Sequence, residues 1–283
     1  MHILYMITGG ALPDIDSMVY TGCADGIAAA NGSCFSTSVQ KHLYKLHTLE
    51  ELMLKHGCRT EACVLSQLEK ARQIPYSIEH VVKTERATRM LPPPPASESA
   101  LLSNINIDDR LTLAMNHDAN LFVNLGFSMV DFNDNRNYRT NLTIPTIFDI
   151  INKNPAKKYF ASVLNHDVST GNGTHWVVVF IAAGPKEVVI EYFNSSGIPA
   201  PSRVMRWVAN FIDRAPSMLK IVRPVRYVQV LDRAMQQMND ITECGVYSLY
   251  YVLSRLSGTP CEDFRNAKRT KSDMRKYRSF LFC

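Results

Sequence analysis

Apolar positions along the chain follow two periods. In "STSVQKHLYKLHTLEELMLKHG", Val39, Leu43, Leu46, Leu49 and Met53 recur near helical spacing, and Gly57 supplies a stop, which predicts one helix. "EACVLSQLEKARQ" predicts a second. Further on, "HWVVVFIAA" (His175 to Ala183) and "EVVIEYF" (Glu187 to Phe193) are β-branched and aromatic and apolar nearly throughout. Gly184, Pro185 and Lys186 separate them, which predicts a β-hairpin buried on both faces. Val204, Trp207, Val208, Phe211 and Ile212 then return to helical spacing, with Ser202 as the candidate N-cap. "IVRPVRYVQV" reads as an edge strand, because Pro224 cannot donate to a ladder. A last apolar and aromatic helix follows Cys244 and ends at "SGTP", Ser257 to Pro260.

One break divides this pattern. Pro92 to Pro95 cannot continue a helix and favour a stiff, extended spacer. We place a boundary there: a mostly helical N-terminal arm domain over 1–97, and a core over 98–283 that mixes helices and strands. No internal repeat is present. The chain has 283 residues, 46% apolar and 20% charged, a globular balance that argues against disorder. No run approaches 18 apolar residues, so no membrane partner is expected. The apolar N-terminus lacks a basic lead-in, so no secretory signal is expected. The formal net charge of +5 permits an acidic partner without requiring one. The basic tail "AKRTKSDMRKYRS" reads as a solvated face rather than a nucleic-acid site, since Met274, Tyr277, Phe280 and Leu281 give it an apolar side.

Seven cysteines, at 23, 34, 58, 63, 244, 261 and 283, are an odd set, and without a signal segment we expect reduced thiols. Cys58 and Cys63 with His56 have zinc-compatible spacing but lack a second ligand pair, so free thiols are expected there too.

Cys244 stands apart. In "NDITECGVYSLYYVL" Asp240 is a possible N-cap with Glu243 three residues on, as in a capping box. A helix starting at the cysteine would favour a thiolate through its free N–H groups and dipole. Gly245 leaves room for a substrate backbone, and Gln237, seven residues upstream, could donate to an oxyanion with the Cys244 N–H. In the hairpin, a three-residue turn would pair Ala183 with Glu187 and bring His175 opposite Ser195, beside Asn194. Strict register puts Asn194 on the opposite face, so a bulge or a frayed strand end is required. A cysteine protease needs such a set: an imidazole to take the thiol proton and a third group to orient it. His166 and Asp167 form a rival pair in a loop, weaker because they are sequence neighbours. Trp176 reads as packing against His175.

"THWVVVF", "EYFNSSG" and "QQMNDITECGVYS", in that order, resemble the His, Asp/Asn, Gln and Cys boxes of the ubiquitin-like-protein-specific proteases and the adenovirus protease. With "LLSNINIDD", "FSMVDF", "VLNHDVSTGNGTHWV" and "DMRKYRSFLF", the chain resembles in particular the polyprotein-processing protease of African swine fever virus and its relatives in large DNA viruses. The resemblance covers most of Leu101 to Phe282 and touches the arm at "CRTEACVL". It implies an α+β, papain-like core with a mixed sheet and a buried catalytic helix, behind a helical arm. It implies His175, Asn194 and Cys244 as catalytic residues, with Gln237 or its neighbour Gln236 at the oxyanion. Gln237 is chosen because "Q-x-N" follows the adenovirus-type spacing, although no Gln occupies the sixth position before the cysteine. It implies no metal or organic cofactor. It further implies cleavage after Gly-Gly in viral structural polyproteins during virion maturation, in host cytoplasm at viral assembly sites and in the virion. The alternatives are a protease removing a ubiquitin-like modifier from host proteins, and a non-catalytic virion protein that binds DNA or protein.

Overall fold

The computed structural model describes residues 15, 22–24, 32–45, 47–97, 100–117, 120–134, 140–231, 242–265 and 269–283. In the arm, the Ser36 side chain accepts the Val39 N–H and starts α1 (Thr37–Leu43). Thr48 then starts α2 (Leu49–His56) through a capping box with Glu51, and Gly57 ends it in the left-handed region at φ 64°. The single helix predicted here is therefore two. The helical spacing of Leu43 and Leu49 reads through the break, but Lys45 turns left-handed at φ 53° and Thr48 recaps the chain. Thr60 caps α3 (Glu61–Lys70), and α4 (Tyr76–Arg89) follows Pro75. These helices close over their own cluster, which includes Phe35, Val39, Leu52, Val64, Leu68 and Val82.

The expectation of reduced thiols is corrected in the arm. Cys23 is bonded to Cys34, and Cys58 to Cys63. The turn after Gly57 and the Thr60 cap bring the Cα atoms of Cys58 and Cys63 to 5.6 Å, so this pair is neither a zinc half-site nor two free thiols.

The core is a five-stranded mixed sheet in the order β1 (Phe122–Met129), β2 (Tyr159–Asn165), β3 (Trp176–Ala183), β4 (Val188–Asn194), β5 (Val225–Leu231). The outer pairs are parallel and the inner pairs antiparallel. Pro224 lies just before β5, at the sheet edge. One face is covered by α6 (Ile144–Lys153) and α7 (Ser202–Met218), where Phe148, Trp207 and Phe211 join Val177, Val179 and Ile190. Ser202 is the first helical residue of α7 rather than its cap, which is Pro201. On the other face, α5 (Asn104–His117) and α8 (Cys244–Leu256) join Val178, Phe180 and Phe193. Coverage of both faces explains why β3 and β4 are apolar at nearly every position. Every α8 residue from Cys244 to Ser254 is buried.

Within this core, Glu191 on β4 accepts from Arg255 at 2.7 Å and from the Tyr251 hydroxyl at 2.6 Å, bolting the strand to α8. The proline segment is held at both ends by the C-terminal part of the chain. Cys283 donates its N–H to Pro92 O and its thiol to Leu91 O, both at 2.9 Å. Arg278, the last residue of α9 (Lys271–Arg278), donates to Ala100 O at 2.7 Å.

Candidate active site

The hairpin turn has four residues, not three: Ala183 pairs with Val188, and Val178 with Phe193. Continuing that register places Asn194 beside Val177, on the face that His175 also takes two residues earlier. No bulge is needed. The longer turn shifts β4 by one residue and puts both side chains on one face, where Asn194 Oδ1 meets His175 Nε2 at 2.9 Å.

Asn194 is fully buried and its amide orientation is settled by its neighbours. Its Nδ2 donates to Ile198 O at 2.9 Å and to the Tyr192 hydroxyl at 3.4 Å. Oδ1 accepts from the Ser196 N–H and hydroxyl as well as from the imidazole. An amide oxygen facing Nε2 requires Nε2 to carry the proton, which leaves Nδ1 to receive one. Burial pushes His175 below its ordinary pKa, and the Asn194 bond pulls it partly back.

Cys244 opens α8. The backbone N–H groups of Trp176, Gly245 and Cys244 itself point at its sulfur and favour the thiolate. Trp176 directly follows His175, so the thiol lies against the entry to β3 that carries the imidazole. Burial is the stronger influence and pushes the Cys244 thiol up, with the neighbouring Glu243 carboxylate adding to it. Burial thus works against the thiolate, and the three N–H groups work for it.

Two expectations about this corner change, and one falls outside the described residues. The helix starts at the cysteine as expected, but the cap position of α8 is Glu243, without a side-chain cap bond, and the Glu243 carboxylate pairs with Arg278 at 3.0 Å. Asp240 itself lies outside the described residues, as do Gln236 and Gln237, so both candidate oxyanion glutamines are undescribed. Gly245 is not open to a substrate backbone. A Cβ there would come within 2.9 Å of Leu102 Cβ, and Leu102 O accepts the Trp176 indole N–H at 2.9 Å.

His166, set aside in the sequence, lies in this neighbourhood. The β2–β3 pairing carries Asn165 opposite Trp176, and the His166 N–H bonds His175 O at 2.9 Å. The two imidazoles meet edge to face with centroids 5.7 Å apart. His166 Nε2 shares a 2.7 Å hydrogen bond with the Tyr192 hydroxyl, so the four side chains form a loop of contacts. Burial, and next the His175 imidazole, push His166 down to about 4. The signal in the sequence was a hairpin: a turn-rich "HDVSTGNGT" between two strand-like runs. Asp167 instead accepts from the Val168 and Gly173 N–H groups and shapes that turn. Among the described residues no group of three or more His, Cys, Asp or Glu is placed to hold a metal ion.

No family model matches the chain. Among curated proteins, it is 33% identical over 272 residues to the SUMO-1 cysteine protease of a South African tick isolate of African swine fever virus, spanning 92% of this chain and 94% of that protein. It matches the cysteine protease of the Badajoz Vero-adapted strain of that virus over the same shares at the same identity. Among solved structures, the crystal structure of the African swine fever virus protease superposes with a TM-score of 0.73 at 28% identity, covering 93% of this chain and 95% of that one.

Proposed function

The chain is a cysteine protease of the family of the African swine fever virus cysteine proteases, and from that membership we propose that it processes viral structural polyproteins after Gly-Gly motifs. The observation that carries the chemistry is the 2.9 Å contact of His175 Nε2 with Asn194 Oδ1 at the strand entry that touches the Cys244 sulfur. In this reading His175 Nδ1 takes the Cys244 proton as the sulfur attacks the carbonyl carbon before the scissile bond. Asn194 keeps the imidazole oriented while it carries positive charge. The Cys244 N–H and the amide of Gln237 hold the oxyanion. His175 then returns the proton to the leaving amine, and water, deprotonated by the same imidazole, releases the acyl group. The chemistry belongs to the core over 98–283, with the arm over 1–97 handling substrate. The sites of action are viral assembly sites in host cytoplasm and the virion.

A second reading is removal of a ubiquitin-like modifier, favoured by the naming of a relative as a SUMO-1 protease. One experiment separates the two. The purified full chain is incubated with a viral structural precursor carrying Gly-Gly-X sites and, separately, with SUMO-1 conjugates, and the products are sequenced from their N-termini. Polyprotein processing predicts new termini immediately after Gly-Gly in the precursor and far slower conjugate cleavage. An intact precursor with cleaved conjugates would reverse the assignment.

A further inference from the structure

The buried Glu243 carboxylate stands directly before Cys244 and does not cap its helix. A lone buried charge there would be costly and would oppose thiolate formation. Its cation comes from 35 residues away. Arg278 on α9 places Nε at 3.1 Å and Nη2 at 3.0 Å from the same Glu243 oxygen. Among the described residues, the other hydrogen-bond partners of this guanidinium are backbone carbonyls. Nη2 donates to Thr242 O at 3.1 Å, and Nη1 to Ala100 O at 2.7 Å. One side chain thus joins the residues leading into the nucleophile, the end of the proline segment and the C-terminal helix. Two residues beyond Ala100, Leu102 covers Gly245 and holds the Trp176 indole.

We propose that Arg278 is a positioning residue for the Cys244 nucleophile, neutralising Glu243 and fixing the Thr242–Glu243 approach to the first turn of α8. The inference rests on Cys244 being the nucleophile. Among the described residues, the charged and titratable groups around this corner are Glu243 from the same stretch of chain, His175 with His166 behind it from the β2–β3 end, and Arg278 from α9. Leu102, arriving from the proline segment, brings no charge. Glu243 opposes the thiolate, and Arg278 offsets it while holding Thr242 and Glu243, which lead into the Cys244 and Gly245 N–H groups that face the sulfur.

The test uses the full chain and iodoacetamide. The rate of Cys244 alkylation, read by peptide mass spectrometry, is followed across pH alongside kcat and KM for a protein substrate. Glu243→Gln keeps an acceptor for Arg278 but removes the negative charge, so the alkylation midpoint should fall by about one pH unit. Arg278→Gln leaves the carboxylate uncompensated, so the midpoint should rise by about as much and kcat should drop more than KM changes. The double variant should return towards the wild-type midpoint. Midpoints that stay put, with losses that track thermal stability alone, would overturn the proposal by making the pair a packing element. Should Arg278→Gln fail to fold, Glu243→Gln decides by itself, since it preserves the hydrogen bonds. Cys244 reacting no faster than Cys261 and Cys283 in the wild type would instead remove the nucleophile reading on which the proposal rests, a result distinct from an unmoved midpoint.

Discussion

The arm and the core use the same residue types in opposite ways. The four cysteines upstream of the prolines are bonded in two pairs, and the three downstream are thiols. The arm's buried carboxylate, Glu61, is held by neutral donors: the hydroxyls of Ser33 and Tyr44 and the Cys34 N–H. The core's buried carboxylates, Glu191 and Glu243, each face an arginine. A segment as small as the arm buries a small share of its surface, and covalent staples compensate for a modest hydrophobic cluster. The core has a sheet covered on both faces and needs no staple. Its buried ion pairs instead tie α8 to β4 and to α9. The difference separates holding a shape from positioning the proposed nucleophile.

The sharpest way to break this contrast is to remove the base. His175→Ala should lower kcat for protein cleavage by roughly 10³- to 10⁴-fold with the melting temperature nearly unchanged, because the imidazole moves the proton in both half-reactions. A fall below tenfold would place the chemistry elsewhere.

Removing a staple from the arm should do the reverse. Replacing Cys23 and Cys34 together by Ser should destabilise the arm by about 2–4 kcal/mol while leaving Cys244 alkylation at its wild-type rate. Denaturation followed beside alkylation checks this. Loss of Cys244 reactivity under conditions where the core stays folded would show that the arm shapes the site directly.

Asn194 gives an intermediate case. Asn194→Ala should cost about 10- to 100-fold in kcat, less than His175→Ala, since the amide acts through the imidazole. Asn194→Asp keeps the acceptor for Nε2 but loses the donor to Ile198 O and buries a charge, so it should fall between wild type and Asn194→Ala in steady-state assays. Gly245→Ala probes packing within the core, at the first turn of α8. Its Cβ must displace Leu102, at a cost of about 1–3 kcal/mol in thermal unfolding.

The smallest effect expected is on pH. His175 serves as base when neutral, and burial lowers its pKa from the ordinary 6.5, so the acid limb of kcat/KM should inflect below pH 6.5. The Asn194 bond favours the protonated ring, so Asn194→Ala should move that limb lower still. A limb above 6.5 would mean that the imidazole is stabilised in its charged form.

Much of the proposed site was legible because its residues lie at element ends that the sequence marks well. His175 precedes a β-branched run, Asn194 ends another, and Cys244 opens a long apolar helix. What failed was counting and partnership. A turn one residue longer moved Asn194 to the correct face, and nothing in "GPK" distinguishes a three-residue from a four-residue connection. Glu243 looked like half of a capping box because Asp240 is near in sequence, whereas its partner Arg278 is near only in space. Helix α4 escaped notice because Val82 is its one fully buried position among those described, so the apolar stripe is faint. The cystines were hidden because pairing depends on turns such as that at Gly57 rather than on composition.

The central claim is that Cys244, with His175 and Asn194, carries out proteolysis. The most direct measurement is to alkylate the full-length protein in timed steps with iodoacetamide and, in each sample, quantify modification at Cys244, Cys261 and Cys283 beside the residual rate of protein cleavage. The account predicts that activity falls in one-to-one proportion to Cys244 modification while Cys261 and Cys283 remain largely unmodified. Substantial cleavage by protein fully modified at Cys244, or loss that follows another cysteine, would contradict it.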